Sequence, residues 1–476
     1  RRWEDLMRSP RVESLRRACD IYVDAFYHQF EMTDILMDAE SGSTRLPDFP
    51  YTATVYQALE EIKQLEHPDS QYEPLTDEFK QQVAEVSAKN RFFHWCVEFP
   101  AVFANGGGFD VMCGNPPWDK IKIEDKKWFE SHGRMDIVNA GTTAQRKKAI
   151  EQLSGTDPVL YSEYKEALAD AEAMSRFVRF SGRFPLTATG DIDLYPMFAE
   201  LCLQFSKEAW GLVLPTGIAV NDSNKAFFSK LVDENRLISL YSFENEEKIF
   251  QSIAHDAKFC LVTAGLELEH SRVVTGGFYL RRLDQILDPH RIYHFKTADF
   301  SLFNPNTKSC PVFRTVEDAE LTAKIYRKCG HILVNETTGD NPWVIKFGSM
   351  IHMSNDSHLF RTYQQMTEVG AVLNGNRFTL PDGTVYVPLY EGKMIGIYNH
   401  HYATWPTTDE RPNAIDAPAI EDLKNTASCI MPWFWLPLND VSDHFTKVDK
   451  DGNIMWKWNH SWNIAYRGIS KSTEVR

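Results

Sequence analysis

Apolar residues recur along the first ninety positions at the three-, four- and seven-residue spacings of an amphipathic helix. Leu15, Tyr22, Ala25, Phe26 and Phe30 stand among charges, and Tyr56, Leu59, Ile62 and Leu65 repeat the pattern. Between them the Pro- and Asp-punctuated stretch SGSTRLPDFPYTATVY reads as a loop. The spacing predicts a helical arm over 1–90. The pattern then changes: RFFHWCVEFPAVFANGGGFDVMCGNPPW packs aromatics, a triple glycine and a short apolar strand, FDVMC, against Asn-Pro-Pro-Trp. Residues 119–185 are charged and helix-prone, which predicts an inserted helical segment. From 190 helix and strand alternate: DLYPMFAELCLQF, WGLVLPTG, NKAFFSKLVDENR, LISLYSF and KFCLVTAG. Such alternation predicts an α/β domain over 91–270 with a doubly wound, largely parallel sheet.

After about 270 the alternation fades, so 271–330 reads as a connector. From 331 short strand-like runs are separated by turn signals such as LNGN, PDGT and DKDG, which predict a separate β-rich domain over 331–476. It holds seven of the twelve tryptophans: Trp343, Trp405, Trp433, Trp435, Trp456, Trp458 and Trp462. Most of these are expected in a core, with others free for DNA.

Composition narrows the picture. With 476 residues, 43% hydrophobic and 25% charged, the chain is globular and long enough for about three domains at roughly 150 residues each. Fifty-one Lys and Arg stand against 66 Asp and Glu, a net −15, so a nucleic-acid partner has to be met by a local basic patch. Residues 447–476 reverse the sign, with six basic and three acidic residues. The lysine-rich run Lys120, Lys122, Lys126, Lys127, Arg146, Lys147 and Lys148 reads first as a solvated helical face. No apolar window reaches the ~18 residues of a membrane span and no signal-peptide core opens the sequence, which places the protein in the cytoplasm. The eight cysteines form no CxxC and are expected to be reduced and mostly buried. The histidines His94, His352, His358, His400 and His401 form no ligand spacing, and no metal site is expected; His358, in SNDSHLFR, is also a candidate for target recognition.

The sharpest chemistry lies at Asn115-Pro116-Pro117-Trp118. Two prolines fix φ near −65° and remove two N–H donors, so carbonyl oxygens and the Asn115 amide oxygen converge as acceptors. Trp118 adds a flat face; stacking a base on an aromatic is worth roughly 1–3 kcal/mol. Acceptors beside an aromatic plate suit an exocyclic amine on a planar ring. A second pattern, Asp382 followed by Glu391-Gly392-Lys393, spells PD-x8-ExK, an arrangement that holds magnesium in many nucleases. Against it, Asp382 sits in the turn signal PDGT.

GNPPW at the end of a strand, then DLYPMFAELCLQF, WGLVLPTG, LISLYSFENEEKIF and KFCLVTAG in that order, resemble the large adenine-specific DNA methyltransferases of the γ amino-methyltransferase class. These occur in fused restriction-modification enzymes and in phage-defence methylases such as those of DISARM and BREX. Looser similarity continues through NPWVIKFG, SNDSHLFR, VPLYEGKMI and YRGISKSTEVR.

The resemblance implies a Rossmann-like S-adenosylmethionine-dependent sheet with helical insertions and a separate β-rich target-recognition domain. It implies methyl transfer from S-adenosylmethionine to the adenine amino group in duplex DNA, with the base flipped from the helix. Asn115 and the Pro116 carbonyl, in the loop Asn115 to Trp118, would accept from that amino group. Trp118 and Phe250 would stack on the base, and Asn115, Asp193, Leu194 and Tyr195, with Phe198, would line the cofactor side. Lys457, Arg467, Lys471 and Arg476 would contact double-stranded DNA, and other subunits of a defence system are implied as partners. Residues 1–114 contain no D-x-G-x-G turn for the cofactor, and the GGG at 106–108 precedes the wrong strand. The expectation is therefore a part of a longer polypeptide, with most of the cofactor pocket elsewhere. A DNA-binding scaffold subunit, or a methyltransferase acting on RNA or on protein glutamine, remain the alternatives.

Overall fold

The computed structural model describes residues 2–28, 50, 52–68, 74–267, 273–329, 338–343 and most of 351–457, apart from 354, 397–398, 409, 413–414, 420, 422–423, 425–427, 445 and 449–452. The chain divides into two compact units, 1–344 and 345–476.

The first unit opens with the arm. Helices α1 (Pro10–Tyr27), α2 (Thr52–Glu66) and α3 (Asp77–Asn90) enclose a small core of Ala18, Ile21, Ala58, Leu75, Phe79 and Val83. The inward face of α1 is thus Ser14, Ala18 and Ile21, whereas Leu15 and Tyr22 are largely exposed. Small residues let the helices approach, and polar groups fill the rest. Glu61 takes Arg17, Lys80 and the Ser14 hydroxyl, and Asp20 meets His94 Nε2 at 2.7 Å, so His94 is structural as expected. Phe30 lies outside the described residues.

Six strands form one mixed sheet in the order β1-β2-β4-β3-β5-β6: β1 (Phe109–Gly114), β2 (Ser206–Pro215), β3 (Leu237–Glu244), β4 (Lys258–Gly265), β5 (Val273–Leu280) and β6 (Tyr293–Lys296). Only β1–β2 and β3–β5 pair in parallel; β4 runs antiparallel to both β2 and β3, and β6 to β5. The largely parallel sheet expected from alternation is corrected here to a mixed α/β sheet. The segment from 245 to 257 contains only a short 3-10 turn. With no crossover helix, the chain reverses and β4 inserts beside β3. The stretch 271–330, expected as a connector, supplies β5 and β6 to the same sheet, followed by helices α4 (Thr297–Phe303) and α5 (Val316–Cys329).

The core of this unit forms where α6 (Leu194–Phe205) and α7 (Lys225–Asp233) cover the sheet. Trp210, Leu214, Phe227, Phe228, Leu231 and Phe278 are almost wholly enclosed there. The inserted segment 119–185 folds as helices, among them Asp125–Ser131, Thr143–Thr156 and Pro158–Phe180. Thr142 and Gln145 form a capping box at the second, and Asp157 accepts from Leu160 N at the third. Phe129, Ile137, Ile150, Leu153 and Tyr164 give this segment its own core.

The second unit holds a four-stranded antiparallel sheet in the order β10-β9-β8-β7: β7 (Val372–Asn374), β8 (Arg377–Thr379), β9 (Val385–Pro388) and β10 (Trp435–Pro437). A two-stranded ladder joins β11 (Thr446–Val448) to β12 (Ile454–Lys457). Gly375, at φ +62°, makes the LNGN turn between β7 and β8. Trp405, Trp433 and Trp435 are core residues as expected, whereas Trp343 of the first unit is 70% exposed; Trp458 and Trp462 lie outside the described residues.

All eight cysteines are free, but only Cys202, Cys260 and Cys310 are buried, while Cys96, Cys113, Cys329 and Cys429 are exposed. The expectation of mostly buried cysteines fails because residues such as Cys113 sit on an edge strand, where burial has no second layer to draw on.

Candidate active site

Because β4 is antiparallel to both its neighbours, β1, β2 and β3 all point the same way, and their carboxyl ends share one edge of the sheet. In open α/β sheets this edge is where ligands bind. Asn115-Pro116-Pro117-Trp118 leaves β1 here, and Thr216 leaves β2 with its Oγ1 2.9 Å from Ser242 Oγ of β3.

Asn115 is exposed, and among the described residues no group hydrogen-bonds its side chain. No described backbone N–H donates to the carbonyls of Pro116 or Pro117. The loop is nevertheless held firmly. Leu194 N donates to Asp119 O at 2.9 Å and Ile121 N to Ile192 O at 3.2 Å, and Lys120 bridges Asp193 in a short antiparallel pairing. The acceptors of the Asn-Pro-Pro turn are thus free while its exit is anchored to the start of α6.

Trp118 is half-buried. It packs both against the main core and against a second cluster of Phe243, Phe259 and Leu280, and its indole N–H is enclosed with no partner among the described residues. Phe250 joins the same aromatic group, edge-on to Phe259 at 4.9 Å, while Phe259 stacks on Phe243 at 5.2 Å. The fold therefore gathers the two rings to one aromatic cluster across 132 residues of sequence.

Sequence reasoning missed what holds Phe250 there. Asn245, fully buried at the end of β3, accepts from Phe250 N at 2.9 Å and donates to the carbonyls of Phe250, Ile253 and Ala254. The only sequence signal is an amide residue directly after an apolar strand, which also describes an ordinary turn. Glu200 acts similarly within α6: almost wholly buried, it takes Leu186 N and the Thr187 hydroxyl and fixes the loop before the helix.

The residues assigned by resemblance to the cofactor side separate. Asp193 stands at the head of α6 without capping it; burial, and more weakly Asp191, raise its pKa, and Lys120 opposes them. Leu194 packs against Ile121, Val178, Phe184, Ile192 and Met197. Tyr195 is 4% exposed, and its hydroxyl accepts from Asn224 at 3.3 Å; burial pushes it up to about 12. Tyr195 is a core residue, and Phe198 lies more exposed than either.

The triple glycine has a packing reason. A Cβ on Gly107 would lie 2.2 Å from Val102 O, and one on Gly108 2.5 Å from Phe205 O. The pair lets the backbone pass close to its neighbours as it enters β1.

In the second unit Glu391 is engaged by Arg411, whose Nη2 reaches both carboxylate oxygens at 2.7 Å. Asp382 accepts from Thr384 N at 2.8 Å within its turn. Neither carboxylate of the PD-x8-ExK pattern is left to hold a metal, and no metal-binding group of three occurs among the described residues. His352, His358 and His400 are exposed. Lys457 is exposed on β12; Arg467, Lys471 and Arg476 lie outside the described residues. No described helix is long and apolar enough to cross a membrane.

Residues 27–145 match the Eco57I restriction-modification methylase family. No curated protein sequence matches the chain. Two solved structures align loosely. One is the methyltransferase subunit of a type I restriction-modification system from Streptococcus thermophilus, 13% identical with a TM-score of 0.26, covering 55% of this chain and 47% of that one. The other is the type IIG restriction endonuclease BpuSI, 17% identical with a TM-score of 0.19, covering 25% of this chain and 16% of that one. The chain thus spans about half of the first and less of the second. The stretch 27–145, which contains the Asn-Pro-Pro-Trp loop, is similar to the restriction-modification methylases.

Proposed function

We propose that this protein takes part in S-adenosylmethionine-dependent methylation of the adenine amino group in a specific duplex DNA sequence, within restriction-modification or phage defence. The observation that carries this reading is the Asn115–Trp118 loop at the shared carboxyl edge of β1, β2 and β3, with the Asn115 amide unspent. Asn115 and the Pro116 carbonyl would accept the two N–H bonds of the adenine amino group, drawing its lone pair out of conjugation. The exposed part of Trp118 and the neighbouring Phe250 would hold the flipped ring, offsetting an unstacking cost of a few kcal/mol. S-adenosylmethionine supplies, when bound, a methyl group on an already activated sulfonium.

The described residues fit the base better than the cofactor. With Leu194 and Tyr195 turned inward, Asn115 and Asp193 are the polar groups left at this edge, and cofactor binding is expected to need residues beyond them. The same observation favours a second reading, a DNA-binding subunit without its own cofactor site. Incubation with labelled cofactor and unmethylated duplex DNA, rRNA or protein separates the readings. Label in DNA adenine, reduced roughly a hundredfold or more in Asn115→Ala, supports the first. Label confined to RNA or protein overturns it, and absence of cofactor binding supports the second.

A further inference from the structure

We infer that Arg411 reads a base: its guanidinium is positioned for the paired acceptors of a guanine edge in the DNA target. This deepens the proposed function and rests on it. Arg411 Nη2 is pinned by both oxygens of Glu391 at 2.7 Å. Its guanidinium carbon lies 4.5 Å from the ring centre of Trp405, 5.5 Å from Phe434 and 5.8 Å from Trp433. Trp405 and Trp433 are core residues packed with Met394 and Ile430, so the platform is rigid. Lys393 Nζ approaches the same Trp405 ring at 5.1 Å.

An arginine that served packing alone would spend its donors inside the fold. Here one nitrogen is spent, Nε and Nη1 have no partner among the described residues, and the side chain is 33% exposed. The fork that remains matches guanine O6 and N7, which accept two parallel hydrogen bonds in the major groove. A phosphate also presents paired acceptors, but its attraction depends on net charge, which Glu391 offsets. A neutral acceptor pair needs only the geometry, and the carboxylate and rings fix that geometry before binding.

The test uses the full chain. A duplex library with a randomised core is selected for binding by wild type, Arg411→Ala, Arg411→Lys and Glu391→Gln. Affinities for the selected duplex and its single-pair variants are then measured at two salt concentrations, and melting curves report folding. The expected result is that wild type discriminates one G·C pair by roughly tenfold to a hundredfold. Arg411→Ala and Arg411→Lys lose that preference while keeping the others, and Glu391→Gln weakens it. Should the alanine variant fail to fold, the lysine variant, which keeps the charge and loses the fork, carries the test. Uniform loss across sequences with a salt slope lowered by about one identifies a phosphate contact and overturns the inference. An unchanged preference in a folded variant reduces Arg411 to packing and overturns it as well. Wild type that binds no duplex removes the functional reading itself, and this shows before any variant is made.

Discussion

Asp24 has no favourable charge beside it. It is 5% exposed on α1, and burial together with the neighbouring Asp20 raises its pKa from the ordinary 3.8 to about 6. A raised carboxyl pKa means the folded state prefers the proton. The contribution to stability is full below about pH 4, is lost as pH rises toward 6, and stays lost at neutral pH. Asp24→Asn is therefore expected to be more stable than wild type at pH 7.5 by roughly 1–3 kcal/mol, with the difference vanishing near pH 4. Urea titrations at both pH values check this, and a less stable variant at pH 7.5 would mean that the carboxylate has a stabilising partner. None of this was legible in the sequence, where Asp20 and Asp24 look like the polar face of a helix. Asn115, by contrast, was legible as a candidate, because two prolines after a strand leave few other conformations to choose from.

At the level of elements, strands and helices of the first unit fell close to their expected places because apolar runs and periodicities are local properties. Their faces and partners were not local. The inward face of α1 lies one step around from the expected one, since Ala18 and Ala58 permit close approach where Leu15 does not. The loop after β3 shows the same dependence. Asn245 makes four hydrogen bonds to it from a fully buried position, and Asn245→Ala is expected to cost roughly 2–4 kcal/mol. Hydrogen exchange at the Phe250 amide, which loses its acceptor, should speed up with it. Unchanged protection at Phe250 would show that other contacts hold the loop, and would remove Asn245 from the positioning of that ring. The PD-x8-ExK pattern failed for a related reason. Spacing cannot show that an arginine twenty residues later takes the glutamate.

For the molecule as a whole, a net −15 opposes a polyanion, so DNA binding has to rest on a few local cations and on unspent donors. Affinity is then expected to fall steeply with salt, the logarithmic slope being about −0.9 for each phosphate neutralised. Fluorescence titrations between 50 and 200 mM salt measure it, and a flat response would exclude backbone contacts as the source of affinity. Division into two units was foreshadowed by the turn-rich composition after 330, whereas the membership of β5 and β6 in the catalytic-type sheet was not. The sequence by itself determined the elements, the polar and aromatic chemistry of the Asn-Pro-Pro-Trp turn and the overall sign of charge, because these depend on neighbours along the chain. Only the tertiary structure decided the direction of β4, the retreat of Tyr195 into the core, the gathering of Trp118 and Phe250 around Phe259 and the pinning of Arg411. Each of these depends on which distant groups compete for the same space and the same hydrogen bonds.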